Sequence, residues 1–292
     1  MLARVFPRIT RATPRDQLAF FDTPDLFADQ LDITMVHVSV AFTWDGAKAR
    51  YLADAWDRIA PVSIGGPAVA KLGDGQASDQ FVAGRYLAPG YTITSRGCPR
   101  DCWFCDVPKR VGRLIELPIV PGYKVQDDNL LACSEPHFRA VIAMLKQQHQ
   151  RVEFTGGLEA ILLQDWHVGL LASLKPKPTC FFTYDPGDDY ESLAVAARKM
   201  LDAGFTRASH RLRCYVLIGY PKDTLVAATE RLTDMLNLGF TPMAMLWRHP
   251  KTGKPFHGEW GRFQRSWARP AAIHARHRNT PARQPAEIET SS

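Results

Sequence analysis

Tyr91-Thr92-Ile93-Thr94-Ser95-Arg96-Gly97-Cys98-Pro99-Arg100-Asp101-Cys102-Trp103-Phe104-Cys105 opens as a strand-like run and ends in three thiols, with three and then two residues between them. Thiolates are soft ligands, suited to iron-sulfur clusters and to zinc. A closed zinc site takes four ligands, commonly as two short-spaced pairs. No second pair exists here: Cys133, Cys180 and Cys214 are scattered singly, and His137 is the only histidine close downstream. A loop that offers three thiols to a four-iron cluster leaves one iron open to a small molecule.

Outward from this loop, strand-like and helix-like segments alternate. Tyr91–Thr94, Tyr123–Gln126, Val152–Thr155, Thr179–Tyr184 and Arg213–Gly219 read as strands. His137–Gln148, Ala160–Leu174, Tyr190–Ala203 and Thr224–Leu238 carry apolar residues at three-to-four spacing and read as helices. Such alternation predicts an α/β fold of parallel strands with right-handed crossovers. Upstream, residues 33–42 read as a buried strand, Ala47–Ile59 as a helix, and Pro61–Pro67 as a short strand ending in a glycine turn. His37 falls in mid-strand, where a core histidine is expected.

In parallel α/β barrels the active site is built from loops at the carboxyl ends of the strands. That rule selects the cysteine loop after the first strand, Asp127-Asp128-Asn129 after the second, and Gly156-Gly157-Leu158-Glu159 after the third. Tyr184 ends the fourth, and Gly219-Tyr220-Pro221 follows the fifth. Cys180 and Cys214 lie at the opposite strand ends and are expected to be inert core thiols. Cys133, four residues beyond Asn129, is a candidate hydrogen-atom donor, anchor or extra ligand, against a packing role at a helix start. Arg96, Arg100, Lys109 and Arg110 surround the loop and could hold an anionic group or balance an anionic cluster.

The CxxxCxxC spacing after a strand, with aromatic Phe104 just before the last cysteine, resembles the signature of the radical S-adenosylmethionine superfamily. The resemblance implies a partial parallel (β/α) barrel over residues 89–250, behind a small N-terminal α/β accessory layer, 1–88. It implies a 4Fe-4S cluster on Cys98, Cys102 and Cys105, and S-adenosylmethionine on the open iron. Reductive cleavage would then give a 5'-deoxyadenosyl radical, fed by an external electron donor of the flavodoxin or ferredoxin type. The family's Gly-Gly-Glu run, which binds the methionine amino group, normally follows the second strand. Here leucine intervenes before Glu159 and the run follows the third. Asp127, Asp128 and Asn129 are therefore assigned to S-adenosylmethionine first, and Gly156, Gly157 and Glu159 second, with Phe104 and Tyr184 beside them. Gly65-Gly66-Pro67 is similar to a turn of the cobalamin-binding domains in some relatives, but the Asp-x-His-x-x-Gly cobalt pattern is missing.

Eight basic residues against three acids from Lys251 onward supply five of the chain's six net positive charges. Nucleic acid is thus a possible partner of the basic C-terminal extension, 251–292, whose tail from about Ala271 reads as disordered. Trp247, Trp260 and Trp267 with Arg248, Arg262, Arg265 and Arg269 could close the barrel's open side or pack as a helix. No apolar run approaches a membrane span and no secretory h-region is evident, so a cytoplasmic enzyme is expected. Two rivals stand beside it. A methylthiotransferase acting on tRNA or protein is disfavoured because residues 1–97 lack cysteine. A non-catalytic iron-sulfur or zinc module that holds nucleic acid would not need the 127–129 and 156–159 loops to meet the cysteines.

Overall fold

The computed structural model describes residues 1–69, 81–185, 190–255, 258–268 and 273. The N-terminal layer is a four-stranded sheet of β1 (Leu2–Val5), β2 (Ala19–Phe20), β3 (Met35–Ser39) and β4 (Val62–Gly65), in the order β2-β1-β3-β4. All its pairings are parallel. Helix α1 (Gly46–Trp56) crosses from β3 to β4 and buries Ala49, Leu52, Ala53 and Trp56, the face its spacing presents. With Val36, Val38 and Val40 these residues form a core of their own. His37 is buried, its ring hydrogen-bonded to Tyr86 and stacked on Phe81, as a core histidine should be.

The second part begins with β5 (Tyr91–Thr92), β6 (Ser95–Arg96), α2 (Val107–Arg110), β7 (Ile115–Glu116) and β8 (Lys124–Val125). Then α3 (Glu135–Lys146), β9 (Glu153–Leu158), α4 (Asp165–Ser173), β10 (Thr179–Tyr184), α5 (Tyr190–Asp202), β11 (Leu212–Ile218), α6 (Leu225–Leu238) and β12 (Thr241–Leu246) alternate. The six longer-range strands form one parallel sheet in the order β12-β11-β10-β9-β8-β5, so each crossover advances by one strand in a constant direction. This winding is compatible with a partial β/α barrel whose open edges are β5 and β12. The helices lie over one face, and their apolar stripes meet the strand residues Phe154, Cys180, Phe182, Cys214 and Val216 in the main core. No described helix is long and apolar enough to cross a membrane.

Local chemistry sets the element ends. Ser134 caps α3 by accepting from the His137 amide, with Pro136 in the first turn where a missing N–H costs nothing. Thr224 caps α6 likewise, and Gly239, at φ +102°, ends it in the left-handed conformation. Three expectations are corrected. The first strand stops at Thr92, because Ser95 and Arg96 leave the sheet to pair antiparallel with β7. The third extends to Leu158, taking Gly156 and Gly157 into the sheet as a bulge. Opposite them the register with β10 jumps from Phe154↔Cys180 to Leu158↔Phe182. The helix expected over Ala160–Leu174 is a 3-10 turn, Ala160–Leu162, followed by α4.

Cys180 and Cys214 are fully buried, and burial pushes the Cys180 thiol up. Trp260, within α7 (Glu259–Ser266), and Trp267, which caps its C-terminus, are buried in the main core, so this region packs as a helix on β12. Ile273 is also buried in that core; the remainder of the tail expected to be disordered lies outside the described residues. The N-terminal layer contacts the second part at two places. Its β4 turn accepts a hydrogen bond at Pro67 O from Arg110 in α2 (3.0 Å). Its β3 turn donates from Thr43 Oγ1 to Pro250 O, beyond β12 (2.6 Å).

Between α3 and α4 lies His167, 2 % exposed, stacked on Trp166 and edge-on to Phe138. Burial lowers its pKa from 6.5 to about 4. The native state therefore holds it neutral, while the unfolded chain takes up a proton below pH 6.5. Its contribution makes stability fall as pH drops from 6.5 towards 4, and is constant above. Urea midpoints measured across this range should fall less steeply for His167→Phe than for the unsubstituted chain.

Candidate metal centre

The parallel pairing of β5 with β8 sets Tyr91 against Lys124 and Thr92 against Val125. The Gln126 amide still donates to Thr92 O (2.9 Å), and beyond it the alignment persists through side chains. Asp127, 2 % exposed, accepts from the Thr94 amide (2.6 Å), the Thr94 hydroxyl and the Ser95 hydroxyl (2.9 Å). Asp128 accepts from Arg96 Nη1 (3.0 Å) and from the Gly97 amide (2.9 Å). Asn129 Nδ2 donates to Cys98 Sγ (3.3 Å) and to Glu159 Oε2 (2.7 Å). Three consecutive residues thus bind the cysteine loop in order, from its root to its first thiol.

Two glycines make this approach possible. A Cβ on Gly156 would lie 1.8 Å from the Asp127 carbonyl oxygen, so only glycine lets β9 pass this close to the 127–129 segment. Gly97 has φ +90°, and a Cβ there would meet the Arg113 carbonyl at 2.2 Å. The bulge at Gly156-Gly157 then carries Glu159 to Asn129 and to Arg100, whose Nε pairs with Glu159 Oε1 at 3.1 Å.

Asp127 and Asp128, expected to touch a cofactor, instead face the cysteine loop itself. Burial pushes the Asp127 carboxyl up, and the hydrogen bonds from Thr94 and Ser95 oppose that shift. Gly156 is likewise committed to packing. Asn129, Glu159 and the three cysteines do come together. Phe104 is half-buried, edge-on to Trp103, and exposed Trp103 is in turn edge-on to Tyr220 beyond β11 (5.8 Å). Tyr184 is not brought to the site: it packs on the helix-facing core, where burial pushes its hydroxyl up and Arg231 and Asp234 act on it. Cys133 also lies in that core, hydrogen-bonded to Ser95, with burial pushing its thiol up to about 11. The Asp127 and Glu116 carboxylates lie near enough to act on it electrostatically. Thr94 and Ser95 were missed; the signal for them is the β5–β8 offset of 33 residues, which brings 127 opposite 94.

Cys98, Cys102 and Cys105 are half-buried and unpaired with one another. Burial pushes the Cys102 and Cys105 thiols up; Arg100 opposes this at Cys102, and the Val107 amide opposes it at Cys105. Among the described residues no three His, Cys, Asp or Glu side chains converge as the ligands of one metal ion would. In a cluster the thiolates bind different irons and need not converge. The donor set fits such a group: three soft ligands on one loop, and a buried Asn129 whose Oδ1 has no hydrogen-bond partner although its Nδ2 touches Cys98. Beside them a small solvent-open cleft is lined by Arg100, Glu159, Ala160, Ile161, Thr183, Ser192 and Leu193.

Fold and site together define a parallel α/β protein with a three-cysteine loop beyond the carboxyl end of its edge strand. No family model matches the chain, and no curated protein matches it.

Removing the Asp127 carboxylate strands a buried amide and two hydroxyls. Asp127→Leu should cost about 2–4 kcal/mol of stability, read from the denaturation midpoint, because each orphaned buried donor costs about 1–3 kcal/mol. Asp128→Asn keeps the shape but loses the ion pair, and should leave a folded chain that retains less iron after anaerobic reconstitution.

Proposed function

We propose that the chain is a radical S-adenosylmethionine enzyme with a 4Fe-4S cluster, built on a partial (β/α) barrel. The observation that carries this reading is the meeting of three loops at Cys98. The ends of β5, β8 and β9 supply the thiol, Asn129 and Glu159, and the last two are bonded both to each other and, through Asn129, to the thiol. A module that merely held a metal would need no such convergence. When bound, the cluster and its nucleotide supply one chemistry: reductive cleavage of the sulfonium to a 5'-deoxyadenosyl radical.

The chain's own residues bind and orient. Cys98, Cys102 and Cys105 would hold three irons. Glu159 and the free Asn129 Oδ1 are acceptors suited to the methionine ammonium. Arg100, now paired with Glu159, is the cation available to the methionine carboxylate, and an incoming zwitterion replaces that internal pair by one with each partner. The Thr183 and Ser192 hydroxyls line the same cleft and suit a nucleoside's polar groups. Phe104 and Trp103 shield the loop's outer side. An external donor of flavodoxin or ferredoxin type supplies the electron, in a reducing, cytoplasmic setting that keeps the thiols free.

Anaerobic reconstitution should give about four irons per chain and, on reduction with S-adenosylmethionine, 5'-deoxyadenosine and methionine. Cys98→Ala, Cys102→Ala or Cys105→Ala should abolish both. Glu159→Gln should keep the iron and weaken S-adenosylmethionine binding about tenfold, the worth of one hydrogen bond to a charged group. A single zinc per chain and no deoxyadenosine would overturn the proposal.

A further inference from the structure

The N-terminal layer and the turn beyond β12 meet in an arrangement that the metal site does not use. After Leu246 the sequence Trp247-Arg248-His249-Pro250-Lys251-Thr252-Gly253-Lys254 holds three strong cations and no acid. It is a built turn. The His249 amide donates to Lys254 O (3.0 Å), the Gly253 amide to His249 O (2.8 Å), the Lys251 amide to His249 Nδ1 (3.2 Å), and Arg248 Nη1 to Gly253 O (3.0 Å). Gly253, at φ +65°, lies so close to Trp44 that a Cβ there would meet the indole at 2.7 Å. Thr43 pins the same turn through Pro250. Arg248, Lys251 and Lys254 are exposed.

From Trp44 the contacts continue in a row across the N-terminal layer. The Trp44 ring stacks on Phe42 (4.9 Å between centroids, 16° between planes), and the Arg8 guanidinium lies over Phe42 at 5.8 Å. Arg8 is fixed there by two 2.7 Å hydrogen bonds to the buried Asp45 carboxylate. All these residues follow the carboxyl ends of parallel strands: Arg8 follows β1, Phe42 and Trp44 follow β3, and the cationic turn follows β12. Ligands of parallel α/β sheets bind outside that edge. The same layer touches the helix after the cysteine loop, through Arg110 and Pro67.

Guanidinium, two half-buried rings and an acid-free cationic turn, in line and rigidly held, match phosphates alternating with bases. The cations come from two separate elements with aromatic rings between them, which suits a chain of phosphates rather than one. We infer that this rim binds a single-stranded nucleic acid segment, an inference that does not depend on the enzymatic reading above. The surface shares Lys251 and Lys254 with the basic extension, 251–292, to which the sequence assigned nucleic acid, and adds Arg8, Phe42 and Trp44 of the N-terminal layer.

The test is fluorescence anisotropy of the reconstituted full chain with labelled single-stranded RNA and DNA of about 12 nucleotides, across a salt series. Binding should weaken linearly with log salt. Lys251→Glu with Lys254→Glu should weaken it at least tenfold and lower the salt slope by about two, roughly one for each lysine lost. Phe42→Leu, which keeps the apolar packing, should weaken it with the slope unchanged. The inference is overturned if neither strand binds at low salt, if the charge-reversed chain binds as tightly, or if a nucleoside monophosphate competes as well as the strand on a molar basis. Formation of 5'-deoxyadenosine by the unsubstituted enzyme without any strand tests the enzymatic reading separately. Its absence, with strand binding intact, would leave a nucleic-acid-binding protein.

Discussion

Asp127 is a carboxylate taken out of water and held by three donors from Thr94 and Ser95. Burying a carboxylate is costly unless its lone pairs are satisfied. That cost enforces the geometry, because the carboxylate's partners are the backbone and side chains from which the cysteine loop springs. Asp128 and Asn129 follow on the same chain, so their partners, Gly97 and Cys98, are fixed once Asp127 is seated. In effect the β5–β8 ladder runs on for several residues with side-chain acceptors in place of carbonyls. The loop gains a rigid root without the sheet extending over the site.

The second constraint is steric. β9 can lie against the 127–129 segment only where it has no side chain, at Gly156. The bulge there adds two residues relative to β10 and turns Glu159 toward Asn129 and Arg100. Order of winding does the rest. Because β5, β8 and β9 are neighbours in the sheet, their carboxyl ends lie side by side. The N-terminal layer is bonded both to α2 and to the turn after β12.

Much of this was legible in the sequence, for identifiable reasons. Alternating helical and strand periodicity gives the parallel sheet, and the strand-end rule brings Asn129 and Glu159 to the cysteines. What the pattern could not give was side-chain direction. Asp127 and Asn129 are two residues apart at one strand end, yet Asp127 turns to the loop root while Asn129 reaches the thiol. Tyr184 ends a strand as Glu159 follows one, but it shares the face of Phe182 and faces the helices. Periodicity places Cys133 near a helix start without revealing that Ser95 and the core enclose it. The packing of Trp260 and Trp267 follows from an amphipathic α7, whereas the bridge by the N-terminal layer depends on long-range contacts at Thr43 and Arg110 that no local pattern encodes.

The proposed function rests on an iron-sulfur cage held by three thiolates of one loop, with its fourth corner given to S-adenosylmethionine. Mössbauer spectroscopy of the anaerobically reconstituted, iron-57-labelled chain addresses it most directly. The account predicts a four-iron spectrum in which one iron differs from the other three and changes when S-adenosylmethionine is added. Four irons that ignore the addition, or no cluster signal in a chain that carries zinc, would contradict it.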